Sequence, residues 1–315
     1  MHLPTPRGKL STSLVDALRS AHPEPVDAAL ADGAEDAALT LWMLHELNYA
    51  GFSDVAEDLE WHPGLLALRR DLEAELEERV RERFPGVPPG ASDDLVTTFF
   101  GYVEGHDGRS VASHVHTDAT VEQVLELLRW RSVYHLKEAD PSSFVLARLT
   151  RPARAALAEL LYDEYGAGRP ERLHSHLFAE GLRSVGLDPD SGYVDEVPVG
   201  VLEMNNAASM FGLQRRLRGA AMGHLAAFEC TSSVPSRRLV QGMERLDLPR
   251  PIIDYYAEHV LADAAHEQVA VRDILSPLVE AEPDQLENVF FGAFTCLDQE
   301  ARVAEVLLDR WGVEA

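Results

Sequence analysis

The stretch HVLADAAH (259–266) lies inside an apolar helical pattern, PIIDYYAEHVLADAAHEQVAVRDIL. At about 100° per residue, His259, Asp263 and His266 fall within roughly 60° of arc, with Cα atoms spread over roughly 10 Å along the axis. Two imidazoles and a carboxylate on one side of a helix can form one wall of a metal site. The same pattern also suits two core histidines with satisfied hydrogen bonds beside a surface acid. Spacing alone leaves both open, because a wall needs ligands facing it.

Three glutamates and one more histidine could supply them. Glu229 is the only charged residue in GAAMGHLAAFEC (219–230), an Ala- and Gly-rich run whose helix must pack closely on its neighbours. A carboxylate buried there needs a cation or a proton. Arg215, Arg216 and Arg218 are near enough in sequence to provide an ion pair instead of a metal. His224, five residues earlier, falls on another face and reads as structural. Glu138 closes a helical pattern over 118–138, in line with its apolar stripe, where an acid opposes the macrodipole. A solvated end residue beside Lys137 explains it equally. Glu164 ends AELLYDEYG, and His174 follows in ERLHSH. Ten residues of unbroken helix would separate them by about 15 Å and roughly 80°. The intervening GAGRP breaks the helix, so the chain can fold back and bring His174 level with Glu164. A further candidate, His114-x-His116-x-Asp118, has the look of a metal motif but lacks a third histidine at Ala119 and the strands that would present it. Asp118 serves more simply as a helix cap, a role Thr120 could equally fill.

The elements that must position these groups are almost all helical. DAALADGAEDAALTLWMLHELNYAG, PGLLALRRDLEAELEERVRERF and TDATVEQVLELLRWRSVYHLKEADP show helical periodicity bounded by caps, glycines and prolines. So do RPARAALAELLYDEYG, ERLHSHLFAEGLRSVG and the opening stretch. NNAASMFGLQRRLRGAAMGHLAAFECTSS reads as one long or bent helix, and the last segment is bent or broken at Pro277 and Pro283. Residues 1–25 read as an irregular, proline-rich arm, and 86–118 as a long connection around FFGYV. No alternating strands, phosphate-binding glycine loops or internal repeats occur. The fold expectation is an all-α bundle over 26–315, a single domain.

Composition narrows the function. With 53 acidic against 28 basic residues the formal charge is −25. A polyanion or an anionic membrane surface would be repelled, so neither nucleic acid nor membrane is an expected partner. Cys230 and Cys296 make no disulfide framework. No signal core or spanning segment is visible, so the expected location is the cytoplasm. Much of the acidity is solvated helix surface, as in DLEAELEERVRER (71–83).

Together Glu138, Glu164, His174, Glu229, His259, Asp263 and His266 offer four carboxylates and three imidazoles from separate helices. That mixture suits iron or manganese, whereas structural zinc more often uses cysteine. Helical bundles that hold two metals use inward Glu and His.

KEADP (137–141), DEYGAGRPERLHSHLF (163–178), NNAASMFGLQRRLRGAAMGHLAAFECTSSVP (205–235) and EHVLADAAHEQVA (258–270) resemble the haem-oxygenase-like diiron oxidases and oxygenases, often described as iron-containing redox enzymes. The resemblance spans roughly 118–275, more weakly 48–63. It implies a haem-oxygenase-like core without haem, carrying extra N-terminal helices. It also implies two Fe(II) ions held by the seven residues above, with an Mn/Fe pair still open. O2 would be the co-substrate, and a small organic molecule would be oxidised, by N-oxygenation or oxidative C–C cleavage of an amino-acid-like compound. The run QRRLRG (214–219) could bind a substrate carboxylate or could be solvated or interhelical. Rival readings are a metal-independent oxidase or hydrolase of the same fold, of the quinone- or thiamine-cofactor type, and a non-enzymatic iron-binding helical protein. Assembly as a homodimer stays open.

Overall fold

Local capping converts the helical periodicity into discrete rods. A computed structural model describes residues 1–20, 24–191 and 193–314, with the side chains of 191 and 261–264 outside the description. In chain order the α-helices are α1 (Lys9–Leu18), α2 (Ala34–Glu46), α3 (Pro63–Arg81), α4 (Leu95–Glu104), α5 (Val111–Thr117), α6 (Val121–His135) and α7 (Asp140–Ser143). They continue with α8 (Arg151–Glu164), α9 (His174–Ser184), α10 (Val199–Leu213), α11 (Arg218–Arg245), α12 (Arg250–Gln268), α13 (Ser276–Ala281) and α14 (Leu286–Arg310). No strand occurs among the described residues, and no described helix is long and apolar enough to cross a membrane. The chain is all-α, with α1–α3 added ahead of the ligand-bearing helices.

Three segments differ from the sequence expectation. The N-terminal segment, expected to be an irregular arm, contains α1. Its exposed N-terminal amides are satisfied by a residue distant in sequence: the buried Asp36 carboxylate accepts from Leu10 N at 2.9 Å and Ser11 N at 2.8 Å. The expected connection over 86–118 holds α4 and α5. Asp94 caps the first by accepting from Thr97 N, and Ser110 caps the second by accepting from Ser113 N. Phe99 and Tyr102 then pack on Phe290, with ring centroids 5.8 and 5.5 Å away. The long helix expected from NNAASM onward is cut at Gln214, whose backbone is extended and whose side-chain amide donates to Glu73 at 2.5 Å. After that break α11 runs without interruption through Pro235 to Arg245.

At the centre α11 packs against α14, α12 and α5. Its approach to α14 is unusually close. A Cβ on Gly223 would lie 1.9 Å from the Val289 carbonyl oxygen, and one on Gly292 would lie 1.9 Å from that of Ala220. Two backbones in mutual contact fix the level of α11, and with it Glu229. Buried side chains from Leu10 to Leu308 join one hydrophobic cluster around this pair.

Gly292→Ala must push the two helices apart. It is expected to cost about 2 kcal/mol or more, lowering the thermal midpoint by several degrees at about 2–4 °C per kcal/mol. Gly101→Ala, on the exposed face of α4 with no atom within 4 Å, is expected to raise it slightly, since alanine loses less backbone freedom on folding. Calorimetry on both variants checks the contrast.

Candidate metal centre

Six of the seven residues singled out in the sequence meet in two groups of three. Glu138, His174 and His259 form one, and Glu164, Glu229 and His266 the other. Within each group one ligand atom per residue lies within 4.8 Å of the others, and all six residues are at most 8 % exposed. Glu138 sits in the turn between α6 and α7, His174 opens α9, and Glu164 ends α8. Glu229 lies in α11. His259 and His266 share α12 but belong to different groups, which uses the roughly 10 Å between them. The seventh residue, Asp263, belongs to α12 between them, and its side chain lies outside the described residues.

Glu164 joins the groups. Its Oε2 lies 2.9 Å from His174 Nδ1, and its Oε1 lies 3.4 Å from His266 Nδ1. Glu229 Oε2 also lies 3.4 Å from His266 Nδ1, and Glu138 Oε2 lies 3.5 Å from His259 Nε2. The His174 and His259 rings are 4.7 Å apart. Each buried carboxylate thus faces an imidazole, the compensation that burial of acids requires.

The fold-back after Glu164 has a backbone cause. Gly166, Ala167 and Gly168 take positive φ of 68°, 55° and 77° in succession. This left-handed turn reverses the chain so tightly that a Cβ on Gly166 would lie 2.5 Å from the Arg172 carbonyl carbon. His174 therefore begins α9 beside the end of α8.

Partners behind the ligands orient them. His259 Nδ1 lies 2.9 Å from the Tyr255 carbonyl, so Nδ1–H donates backward and Nε2 faces Glu138. The Tyr255 hydroxyl donates to Glu138 Oε2 at 3.0 Å and lies 2.8 Å from His135 Nδ1, which is itself 3.2 Å from Glu138 Oε1. On the other side His266 Nε2 lies 3.5 Å from Asp163. Burial would raise the Glu138 carboxyl, but the His135 and His259 rings outweigh it and hold it well below the usual carboxylate range. Burial would likewise lower His174, but the contact with Glu164 outweighs it and raises the ring above its ordinary 6.5.

His135, Tyr255 and Asp163 were not singled out in the sequence. The signal was present: His135 precedes Glu138 by three residues and Tyr255 precedes His259 by four, which are same-face spacings. Of the other sequence candidates, His114, His116 and Asp118 join no metal-competent group among the described residues. His114 lies 3.3 Å from Gln123 and against Trp311, and Thr120 rather than Asp118 caps α6. His224 is buried against Phe211, and burial pushes its pKa down to about 4, which suits a structural ring. Lys137 pairs with Glu46 at 2.6 Å, so Glu138 is not a solvated end residue. In QRRLRG, Arg216 binds Glu77 and Arg218 binds Glu282, which leaves neither for Glu229 or a substrate carboxylate.

A cavity of about 300 Å3 opens onto the first group, where Glu138, His259, His135 and Tyr255 line its inner end. It runs outward past Phe228, Leu239 and Leu297 to the loop at His106–Ser110. A small space of about 10 Å3 between the groups is lined by Glu138, Glu164, Glu229 and His259.

Three carboxylates and three imidazoles with no thiolate form a donor set compatible with iron. Residues 125–301 match the family of iron-containing redox enzymes, and the chain belongs to that family. A stretch of 150 residues is 30% identical to a nitrosourea synthase of Streptomyces achromogenes subsp. streptozoticus, covering 47% of this chain and 32% of that protein. The matched part is thus about a third of that relative's length. A crystal structure of a CADD-like protein of unknown function from Nostoc punctiforme superposes with a TM-score of 0.49 at 16% identity, over 76% of this chain and 97% of that one.

Gly166→Ala is expected to lose about 2 kcal/mol of stability, from a strained φ and a backbone collision. It should also weaken iron uptake by the group containing His174. Ala167→Gly should stay within about 1 kcal/mol of the parent, because relief of left-handed strain offsets the entropy of glycine. Thermal melts with parallel iron titrations separate the two.

Proposed function

We propose that the two groups hold two iron ions and that the protein is an O2-dependent oxidase or oxygenase of a small organic molecule. The observation that carries this reading is the pair of buried triads joined through Glu164. Glu138, His174 and His259 would hold one ion and Glu164, Glu229 and His266 the other, with Asp263 the seventh expected ligand. Iron bound there supplies electrons and open coordination positions for activating O2.

The chain's own residues do the rest. Glu138 and His259 face the inner end of the cavity, so a substrate seated there meets the first triad directly. Phe228, Leu239 and Leu297 keep that approach apolar and exclude water. Tyr255 holds a proton on its hydroxyl against Glu138 Oε2, and burial keeps that phenol protonated by raising it well above its ordinary value. The similarity to a nitrosourea synthase supports oxygenation at nitrogen ahead of oxidative C–C cleavage, because a nitrosourea carries oxidised nitrogen.

Anaerobic titration of the metal-free chain with Fe(II) is expected to bind about two ions per chain, as in carboxylate-bridged bundles. His259→Ala and His266→Ala should each remove close to one of the two, and Glu164→Ala should weaken both. Oxygen added to the loaded chain should be consumed faster when substrate is present. Absence of iron binding, or binding unaffected by all three substitutions, would overturn the reading.

A further inference from the structure

One buried group lies outside the roles given above. Tyr256 lines the cavity and is 4 % exposed, and its hydroxyl has no hydrogen-bond partner among the described residues. Proteins seldom leave a buried phenol in that condition, because the lost hydration is not repaid. Burial raises Tyr256 above its ordinary value, so the hydroxyl keeps its proton and offers both a donor and an acceptor.

The charges on the same wall are already matched. Arg131 and Glu300 meet head-on, Nη1 to Oε1 at 2.6 Å and Nη2 to Oε2 at 2.7 Å. Arg109, at the mouth, is held by Asp309 and the Val313 carbonyl. Thr231 and Ser232 donate to the carbonyls of Ala227 and Glu229. Arg131 precedes His135 by one helical turn, so the pair lies one turn further from the first triad along α6. Beyond His135 the cavity therefore presents apolar side chains, the short hydroxyls of Ser110, Thr231, Ser232 and Ser236, a neutralised ion pair and the protonated phenol of Tyr256.

We propose that this cavity binds an amphipathic molecule whose end beside Tyr256 and the Arg131–Glu300 pair is uncharged, a hydroxyl or amide that Tyr256 hydrogen-bonds. A carboxylate or ammonium there would lose its hydration without meeting an uncompensated counter-charge. A free amino-acid zwitterion would have to open the bidentate pair to be recognised. This narrows the amino-acid-like substrate to one whose charges are absent or masked at that end. That the bound molecule is the substrate rests on the reading of the triads as the reaction centre; its binding does not.

Calorimetric titration of the full chain, metal-free and loaded anaerobically with Fe(II), with a matched eight-carbon series tests this. The probes are 1-octanol, octanoate, octylammonium and 2-aminooctanoate. Octanol is expected to bind about tenfold or more tighter than any charged member. Tyr256→Phe should weaken octanol about fivefold, the loss of one neutral hydrogen bond. Glu300→Gln leaves Arg131 without its partner and should bring octanoate level with octanol or ahead of it. A charged probe that matches octanol on the parent chain, octanol affinity unchanged in Tyr256→Phe, or no octanol binding to either form would overturn the inference. If Glu300→Gln does not fold, the parent series and Tyr256→Phe decide alone. Failure of iron to bind would sink the reading of the triads and leave the octanol selectivity measurable; failure of octanol leaves iron uptake standing.

Discussion

Burying three glutamates and three histidines at one place in a helical core is the constraint around which the molecule is arranged. Carboxylates taken from water repel one another and must find a cation, a proton or a metal. Here every one of them faces an imidazole, and Glu164 faces two, one with each oxygen. Displacing Glu164 would separate the triads and leave His174 and His266 without their shared partner. The lowered Glu138 and the raised His174 both follow from these contacts outweighing burial.

Holding that cluster requires rigid placement of groups drawn from five parts of the chain. The backbone contact between α11 and α14 sets the height of Glu229, and the left-handed turn at 166–168 sets His174 against Glu164. His259 is oriented through a carbonyl one turn back on its own helix. Immediately after α12 the chain passes into a π-helical turn, Val269–Leu275, which packs on α8, the helix that ends in Asp163 and Glu164. Widened turns of this kind recur beside functional sites.

The division between triads and cavity also divides the chemistry. The triads supply the acids and imidazoles that suit iron, and on the proposed reading the cavity selects by apolar contact and a few oriented polar groups. Arg216 and Arg218 pair with Glu77 and Glu282, and Arg131 is neutralised by Glu300, so on the proposed reading recognition of the bound molecule falls to Tyr256 and the apolar wall.

Much of the site was legible along the chain, because ligand type and helical spacing are local properties. His259 and His266 at seven residues, Glu229 alone among alanines, and the break after Glu164 were each visible without coordinates. The all-α class was equally plain from periodicity. Less legible were α1, α4 and α5, whose formation depends on Asp36 and Phe290 from elsewhere or on caps beside short apolar runs. Glu138 and Lys137 looked like an ordinary solvated helix end, and only packing placed one against His259 and the other against Glu46. The sequence by itself determined which residues could bind metal and that helices carry them. The tertiary structure decided how they divide into two triads, that Glu164 joins them, and that Arg131 and Glu300 cancel beside an unsatisfied Tyr256. Those outcomes depend on distances between side chains far apart in the chain, which no local periodicity encodes.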